Sequence, residues 1–398
     1  MTAYLDHAAT TPVLPQVIDV VAQTMRDVGN ASSLHTSGRS ARRVVEESRE
    51  SIADDLGARP SEVIFTSGGT ESDNMAIKGS LWRQVARNPR RRRLLVSAVE
   101  HHAVLDPVEH LVTTGQADVT WLMPDPDGVI TGSTLQAALA EDPDSAAVVS
   151  VMWANNEVGT IQPIADLAAA AHAAGVPLHT DAVQTLGQLR LNVGATNADL
   201  VTLTGHKVGG PLGVGVLVTG RDQDLVPLTH GGGQERQLRS GTLDVPGIAG
   251  LATAVRHAVA HQQGESLRLA GLRDALIDGA RAADPSITVS GFYERGDTTG
   301  RLAGNAHLLV PECDGDSLLY LLDAVGIECS TGSACQAGVP QPSHVLLAMG
   351  MSELQARGAL RLTLGHTSTR ADVDAFLEAL PAAIERARRA RHATSRAS

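Results

Sequence analysis

Residues 198–220 read ADLVTLTGHKVGGPLGVGVLVTG. An apolar, β-branched run ends at a Gly-His-Lys turn, and after a glycine-rich stretch a second apolar run follows. Such runs bounded by glycine are strands. A lysine at a strand end, flanked by glycines and beside a histidine, is poorly placed for ordinary surface solvation. Lys207 either simply ends a strand or carries chemistry.

The same grammar recurs upstream. "VIFTSGGTESDNMAIKGS" (63–80) is a strand, a tight Gly turn and a helix N-terminus. "LLVSAV" precedes "EHHAVL", and "AAVVSVMW" (146–153) precedes "ANNEVG". "IADLAAAAHAAG" is a helix closed by Gly175, and "VPLHTDAVQ" is a strand reaching Asp181. Strands alternating with helices predict a mostly parallel sheet covered on both faces. Ligands of such sheets bind beyond the strands' carboxyl ends. Gly69, Thr70, His101, Asn156, Asp181, Gln184, Thr204, His206 and Lys207 all fall there. Past about residue 255 a long helical segment leads away. The remainder mixes strands ("ITVSGF", "AHLLVP", "ALRLTLG") with helices, as in a smaller α+β domain.

With 398 residues, the chain has room for a large α/β domain and a smaller companion. A net charge of −12 argues against a dedicated nucleic-acid or anionic-membrane binder. Arg90 to Arg93 and the tail "ERARRARHATSRAS" read as solvated surface. No apolar run approaches the ~20 residues of a membrane span. No secretory signal is visible, and three cysteines are too few for a disulfide framework, so a reducing cytoplasm is expected. Of 32 Lys and Arg residues only Lys78 and Lys207 are lysines. Arginine cannot form a Schiff base and lysine can. Lys78 lies mid-helix and reads as ordinary.

A Schiff-base lysine points to pyridoxal phosphate (PLP). That cofactor needs an acid at its pyridine nitrogen, for which Asp181 is placed, and a phosphate cradle, which the Ser67–Thr70 turn can supply. Of the pair His101–His102, one can stack on the ring and shuttle protons. No metal-ligand spacing stands out, so no metal site is expected. Arg361, inside an apolar strand, either snorkels to the surface or grips a substrate carboxylate with its fork. Cys313 and Cys329 adjoin apolar runs and read as small buried side chains. Cys335 lies in "STGSACQAGVPQP", among small residues where no core can form, and suits a nucleophile that must move.

With these residues placed, the chain resembles a cysteine desulfurase of the IscS/NifS group, among the aspartate-aminotransferase-like PLP enzymes. The matching motifs are "YLDHAATTP", "GNASSLHTSGRSA", "FTSGGTESDN", "EHHAVL", "NNEVGTIQPI", "HTDAVQ", "TGHKVGGPLGVG", "HGGGQERQLRSGT", "STGSAC" and "LRLTLGHTS". They span essentially the whole chain. The resemblance implies PLP fold type I. Residues 14–258 would form the large domain with a seven-stranded sheet. Residues 1–13 and 259–398 would form a small domain carrying the cysteine loop.

It further implies that Lys207 holds PLP, that Asp181 pairs with its ring nitrogen, and that Gln184 and Asn156 address the ring hydroxyl region. Gly69, Thr70, Thr204 and His206 would bind phosphate, with Thr242 contributed across a homodimer. His101 would stack on the ring. Arg361, with Asn30 and Asn156, would hold the carboxylate of L-cysteine. Cys335 would take the sulfur as a persulfide, release alanine, and pass sulfur to an acceptor or iron–sulfur scaffold protein, with tRNA thiolation a further destination. Two departures stand out: His102 replaces a common Lys, and the tail lacks a longer scaffold-docking extension. Two alternatives stay open here: another fold-type-I PLP enzyme (selenocysteine lyase or aminotransferase), or a non-catalytic sulfur-carrier platform.

Overall fold

The computed structural model describes residues 2–27, 29–220, 223–332 and 342–395. Its strands are β1 (Ala3–Tyr4), β2 (Val63–Thr66), β3 (Arg93–Ser97), β4 (Asp118–Leu122), β5 (Ala146–Ser150), β6 (Leu178–Asp181), β7 (Leu200–Thr204), β8 (Gly215–Thr219), β9 (Thr288–Val289), β10 (Asn305–Leu309), β11 (Ile327–Glu328) and β12 (Ala359–Thr363). Its helices are α1 (Pro15–Arg26), α2 (Thr36–Leu56), α3 (Gly69–Arg87), α4 (His102–Thr113), α5 (Gly132–Glu141), α6 (Ile164–Ala173), α7 (Val193–Thr196), α8 (Val245–Ala283), α9 (Gly315–Asp323), α10 (His344–Ala348), α11 (Glu353–Ala356) and α12 (Arg370–Ser395).

The main sheet has seven strands in the order β2-β8-β7-β6-β5-β3-β4. Pairing is parallel from β7 through β4, while β8 runs antiparallel to both β7 and β2. The connection between β7 and β8 is too short for the crossover helix that a parallel return requires, so the chain can only turn back. Every residue of β2, β3, β5, β6, β7 and β8 is buried, as expected of strands covered on both faces. β4 escapes a sequence reading because it is an edge strand in which only Leu122 of the five residues is buried.

Arg93 departs from the expected solvated run. It opens β3 with 9% exposure, and its fork reaches Ser145 Oγ, Thr120 Oγ1, Glu141 and the Asp142 carbonyl. In the tail, Arg388 is drawn back onto the Pro311 carbonyl and Asp284.

A second apolar core gathers around the antiparallel sheet β12-β10-β9 and the parallel pair β1-β11. The 39-residue α8 serves both cores. Ile248, Leu251 and Val255 pack in the first, Leu269, Leu276 and Ile277 in the second. The chain start also belongs to the second region, since Ala3 and Tyr4 pair with Ile327 and Glu328. Among the described residues no helix is long and apolar enough to cross a membrane.

Candidate active site

The carboxyl ends of β3, β5, β6 and β7 open towards one cavity of about 580 Å³. Its lining brings together His101, Asn156, Gln184, Lys207 and Arg361, drawn from across some 260 residues of sequence. Asp6, Ala8, Ala9, Glu157 and His344 line it too. None of these five had been singled out. Asp6, Ala8 and Ala9 lie about 200 residues from Lys207, and although they fall in the motif "YLDHAATTP", nothing local shows that it meets the lysine.

Lys207 follows β7 on a loop built from backbone contacts. Gly210 N donates to the Gly205 carbonyl at 2.9 Å. Gly209 has φ of +75°, and a Cβ there would meet Leu14 at 2.7 Å, so both the turn and its close approach require glycine. The lysine Nζ donates to the carbonyls of Ala8 (2.5 Å) and Ala9 (2.7 Å). Burial and the nearby Arg361 charge lower its pKa to about 8, against the opposing pull of Asp181 and Asp6. An amine so displaced is partly neutral near pH 7–8 and can act as nucleophile and base.

Asp181 ends β6 and accepts from Val183 N at 2.8 Å. Burial, then the neighbouring Asp73 carboxyl, push its pKa up to about 7, while Val183 N–H, His179 and Lys207 pull the other way. Beneath it lies a polar cluster that sequence reading missed. His179 joins Ser150 Oγ (2.9 Å) and Thr202 Oγ1 (3.1 Å), with Asp73 Oδ1 at 3.4 Å. Glu100, fully enclosed, accepts from Met152 N, and burial followed by the Asp181 charge holds its carboxyl well above the usual range. The one available hint was polar residues inside apolar strands.

The turn before α3 adjoins Asp181's loop. Gly68 has φ of +146°, open only to glycine. A Cβ on Gly69 would meet Val183 Cγ2 at 2.9 Å and Thr204 Cβ at 4.0 Å. Gly69, Thr70 and Thr204 therefore cluster beside the first-turn N–H groups of α3, which no intrahelical carbonyl satisfies. His206, half-buried, contacts Thr10 Oγ1 through Nδ1 at 3.3 Å. Burial and then Lys207 lower its pKa to about 4.

His101 caps α4, with Nδ1 accepting from Ala103 N at 3.1 Å. An amide can only donate, so the neutral ring carries its proton on Nε2. Desolvation by the cavity walls, then the Lys207 charge, lower its pKa to about 4. His102 is bound to Asp106 at 2.9 Å and meets the His344 ring edge-on at 5.5 Å.

Arg361, in β12, is 6% exposed, which removes the snorkelling alternative. One fork nitrogen donates to the Asn156 carbonyl (3.0 Å) and the other to Asp6 Oδ1 (2.8 Å). Its Nε, also buried, has no hydrogen-bond partner among the described residues. A buried cation with an unused donor fits an anionic ligand group.

Asn30 and Thr242 are exposed, and neither lines this cavity of the single chain. Asn30 Oδ1 accepts from Ser32 N. Cys335 lies outside the described residues. Of the described residues flanking it, Ser330 and Gly332 on one side and Pro342 and His344 on the other line the cavity. Cys313 and Cys329 are buried as expected. Burial, with nearby carboxylates adding to it, pushes the Cys329 thiol up to about 12, and burial also raises Cys313. Among the described residues no group of His, Cys, Asp and Glu has the arrangement of a metal site.

This donor set fits pyridoxal phosphate. It offers an amine that can lose its proton, a buried acid close enough to exchange influence with it, a helix-terminal turn free of side-chain bulk, and a neutral imidazole at the wall.

Comparison with known proteins agrees. The sequence model of the family described as aminotransferase class-V matches residues 3–376. A Mycobacterium tuberculosis protein named IscS-like cysteine desulfurase is 57% identical over 396 residues, covering 100% of both chains. A Methanosarcina thermophila protein named cysteine desulfurase IscS is 40% identical over 386 residues, covering 97% of this chain and 92% of its own. A solved structure described as a NifS-like protein superposes with a TM-score of 0.86 at 33% identity, covering 97% of this chain and 99% of its own.

Proposed function

This chain belongs to the aminotransferase class-V family, and from that membership we propose a residue-level account of its activity as a pyridoxal-phosphate-dependent cysteine desulfurase of the IscS/NifS group. It converts L-cysteine to L-alanine. The observation that carries the account is the convergence of Lys207, His101 and Arg361 on one cavity, with Asp181 buried behind it within electrostatic reach of Lys207.

When bound, the cofactor supplies an electron sink conjugated to the substrate Cα. Lys207 is the residue that would hold it, with Gly69, Thr70, Thr204 and His206 around its phosphate and Thr242 added across a homodimer. Asp181 keeps a proton on the ring nitrogen, paired with its own negative charge. Asn156 and Gln184 border the ring, Gln184 being fixed by its bond to the Ala8 carbonyl (3.0 Å). Arg361 takes the substrate carboxylate, with Asn156 beside it and Asn30 completing the set. Lys207 Nζ, once free, removes the Cα proton and returns it. The neutral His101 ring would stack on the cofactor, and its Nε2–H can pass a proton there.

Cys335 thiolate attacks the substrate sulfur. The substrate C–S bond breaks, an S–S bond forms on Cys335, and alanine leaves. Cysteine plus thiol becomes alanine plus persulfide, with no outside oxidant. The sulfur then passes to an acceptor protein, an iron–sulfur scaffold or a tRNA-thiolating partner, in the cytoplasm. Residues 14–258 form the large domain, and residues 1–13 with 259–398 the small one. The two separate apolar cores and the β1-β11 pairing support this division.

The test is incubation with L-cysteine, measuring alanine and acid-labile sulfur together, beside Lys207→Ala. Equal yields from the wild type and none from the variant are expected. Borohydride-reducible cofactor still attached to Lys207→Ala would place the linkage elsewhere.

A further inference from the structure

The stretch "GQERQLRSGT" (233–242) leads to Thr242, but its charged residues had no assigned role. In the fold it is a small bridged loop. Glu235 and Arg239 exchange backbone hydrogen bonds at 3.0 and 3.2 Å. Between them Arg236 and Gln237 sit at φ of +54° and +62°, two consecutive non-glycine residues in the left-handed region. That conformation persists only where the surroundings hold it.

What holds it is a pair of charged anchors on the strand-turn-helix unit of the phosphate cradle. Glu235, 1% exposed, accepts from Phe65 N in β2 (2.9 Å) and from both Arg49 fork nitrogens (2.8 and 2.7 Å). Arg49 in turn donates to the Val63 carbonyl at 2.7 Å. Arg239 Nε donates to Glu71 Oε1 at 3.0 Å. Glu71 stands in the first turn of α3, and its other oxygen accepts from Ser67 N at 2.5 Å.

Glu71 is thus a carboxylate at the edge of the turn assigned to phosphate. Left uncompensated, its charge opposes a dianion bound at Gly69 and Thr70. Burial acts to raise its pKa, but the Ser67 and Arg239 hydrogen bonds outweigh it and keep the group ionised.

We propose that Arg239 is a positioning residue for the cofactor phosphate: by neutralising Glu71 and tying it to the loop that carries Thr242, it makes the α3 turn accept a phosphate dianion. This rests on the assignment of that turn under Proposed function. The Glu71–Arg239 pair, by this argument, couples the affinity for phosphate in one subunit to the placement of the Thr242 that would serve its partner.

The test is titration of the full-length chain, stripped of cofactor, with PLP and with pyridoxal, which lacks the phosphate. Arg239→Gln is expected to weaken PLP by about tenfold and pyridoxal by less than about threefold. Adding Glu71→Gln is expected to restore PLP to within about threefold of wild type. Equal losses for the two ligands, or a double variant no better than the single, overturns the proposal. If Arg239→Gln fails to fold, Arg239→Lys keeps the charge and is expected to retain PLP affinity. A selective PLP loss in Arg239→Lys overturns the charge argument. Thr70→Val separates the two readings. If it leaves the PLP-to-pyridoxal affinity ratio unchanged, the turn is not the phosphate site and the proposal falls with it. If it lowers that ratio while Arg239→Gln does not, the site stands and the proposal alone fails.

Discussion

Replacing Asp181 by Asn should stabilise the cofactor-free chain while it destroys catalysis. Burial first, and the Asp73 carboxyl second, raise the Asp181 pKa from 3.8 to about 7. Because the folded-state value lies above the unfolded one, the folded chain retains a proton that the unfolded chain has released between about pH 4 and pH 7. Stability is therefore lost as pH rises through that window and stays lost above it. An interval of about three pH units, at ~1.36 kcal/mol each, sets a ceiling of about 4 kcal/mol at pH 8 and about 1.5 kcal/mol at pH 5.

Asparagine keeps an oxygen for the Val183 N–H and removes the charge that burial opposes. Glu100, whose carboxyl is held up in part by Asp181, is relieved as well. The expected gain at pH 8 is about 2–4 kcal/mol, a rise in Tm of roughly 2–5 °C for a chain of this size. Alanine formation should fall at least about 100-fold, since the ring nitrogen loses its anionic partner. Urea unfolding of the stripped full-length chain at pH 5 and pH 8, followed by circular dichroism, decides the matter. A variant no more stable than wild type at pH 8, or a gap equal at both pH values, would refute the reasoning.

Arg361→Lys should raise KM for L-cysteine about 10- to 100-fold, because a point charge cannot replace two forked hydrogen bonds worth about 1.5–3 kcal/mol; an unchanged KM removes Arg361 from the substrate site. Cys335→Ser should keep the yellow cofactor absorbance and lose persulfide formation, read by mass spectrometry after L-cysteine addition; undiminished alanine production would exclude Cys335 as nucleophile. Arg301 is fully enclosed, and among the described residues its guanidinium donates to the Ser290, Phe292 and Asn305 carbonyls and the Asn305 side chain. Arg301→Met leaves these acceptors unpaired and should destabilise the chain by about 3–5 kcal/mol in urea; a loss below about 1 kcal/mol would show that the region repacks without them.

The sequence by itself determined the alternation of strand and helix, the strand ends that open towards the cavity, and the lysine that stands at one of them. These were legible because each is local. Apolar runs, glycine turns and a lysine at a strand end leave their mark within a dozen residues. Gly68 and Gly209 announce turns because no other residue adopts those angles without strain.

What only the tertiary structure decided is what acts across distance. The Ala8 and Ala9 carbonyls come to Lys207 through the pairing of the chain start with β11 and β12. Asp73 and Glu100 come to Asp181 and its strand neighbour His179 because α3 and the loop after β3 close over β5 and β6. Arg239 meets Glu71 from 168 residues away. Arg93, read as one charge in a solvated run, turned inward because β3 begins there and its fork found four acceptors. Beyond caps and single helical turns, a charge or a hydrogen-bonding group has no preferred neighbour in sequence. Its partner, and hence its protonation state, is fixed only when burial removes water and leaves a particular group within reach.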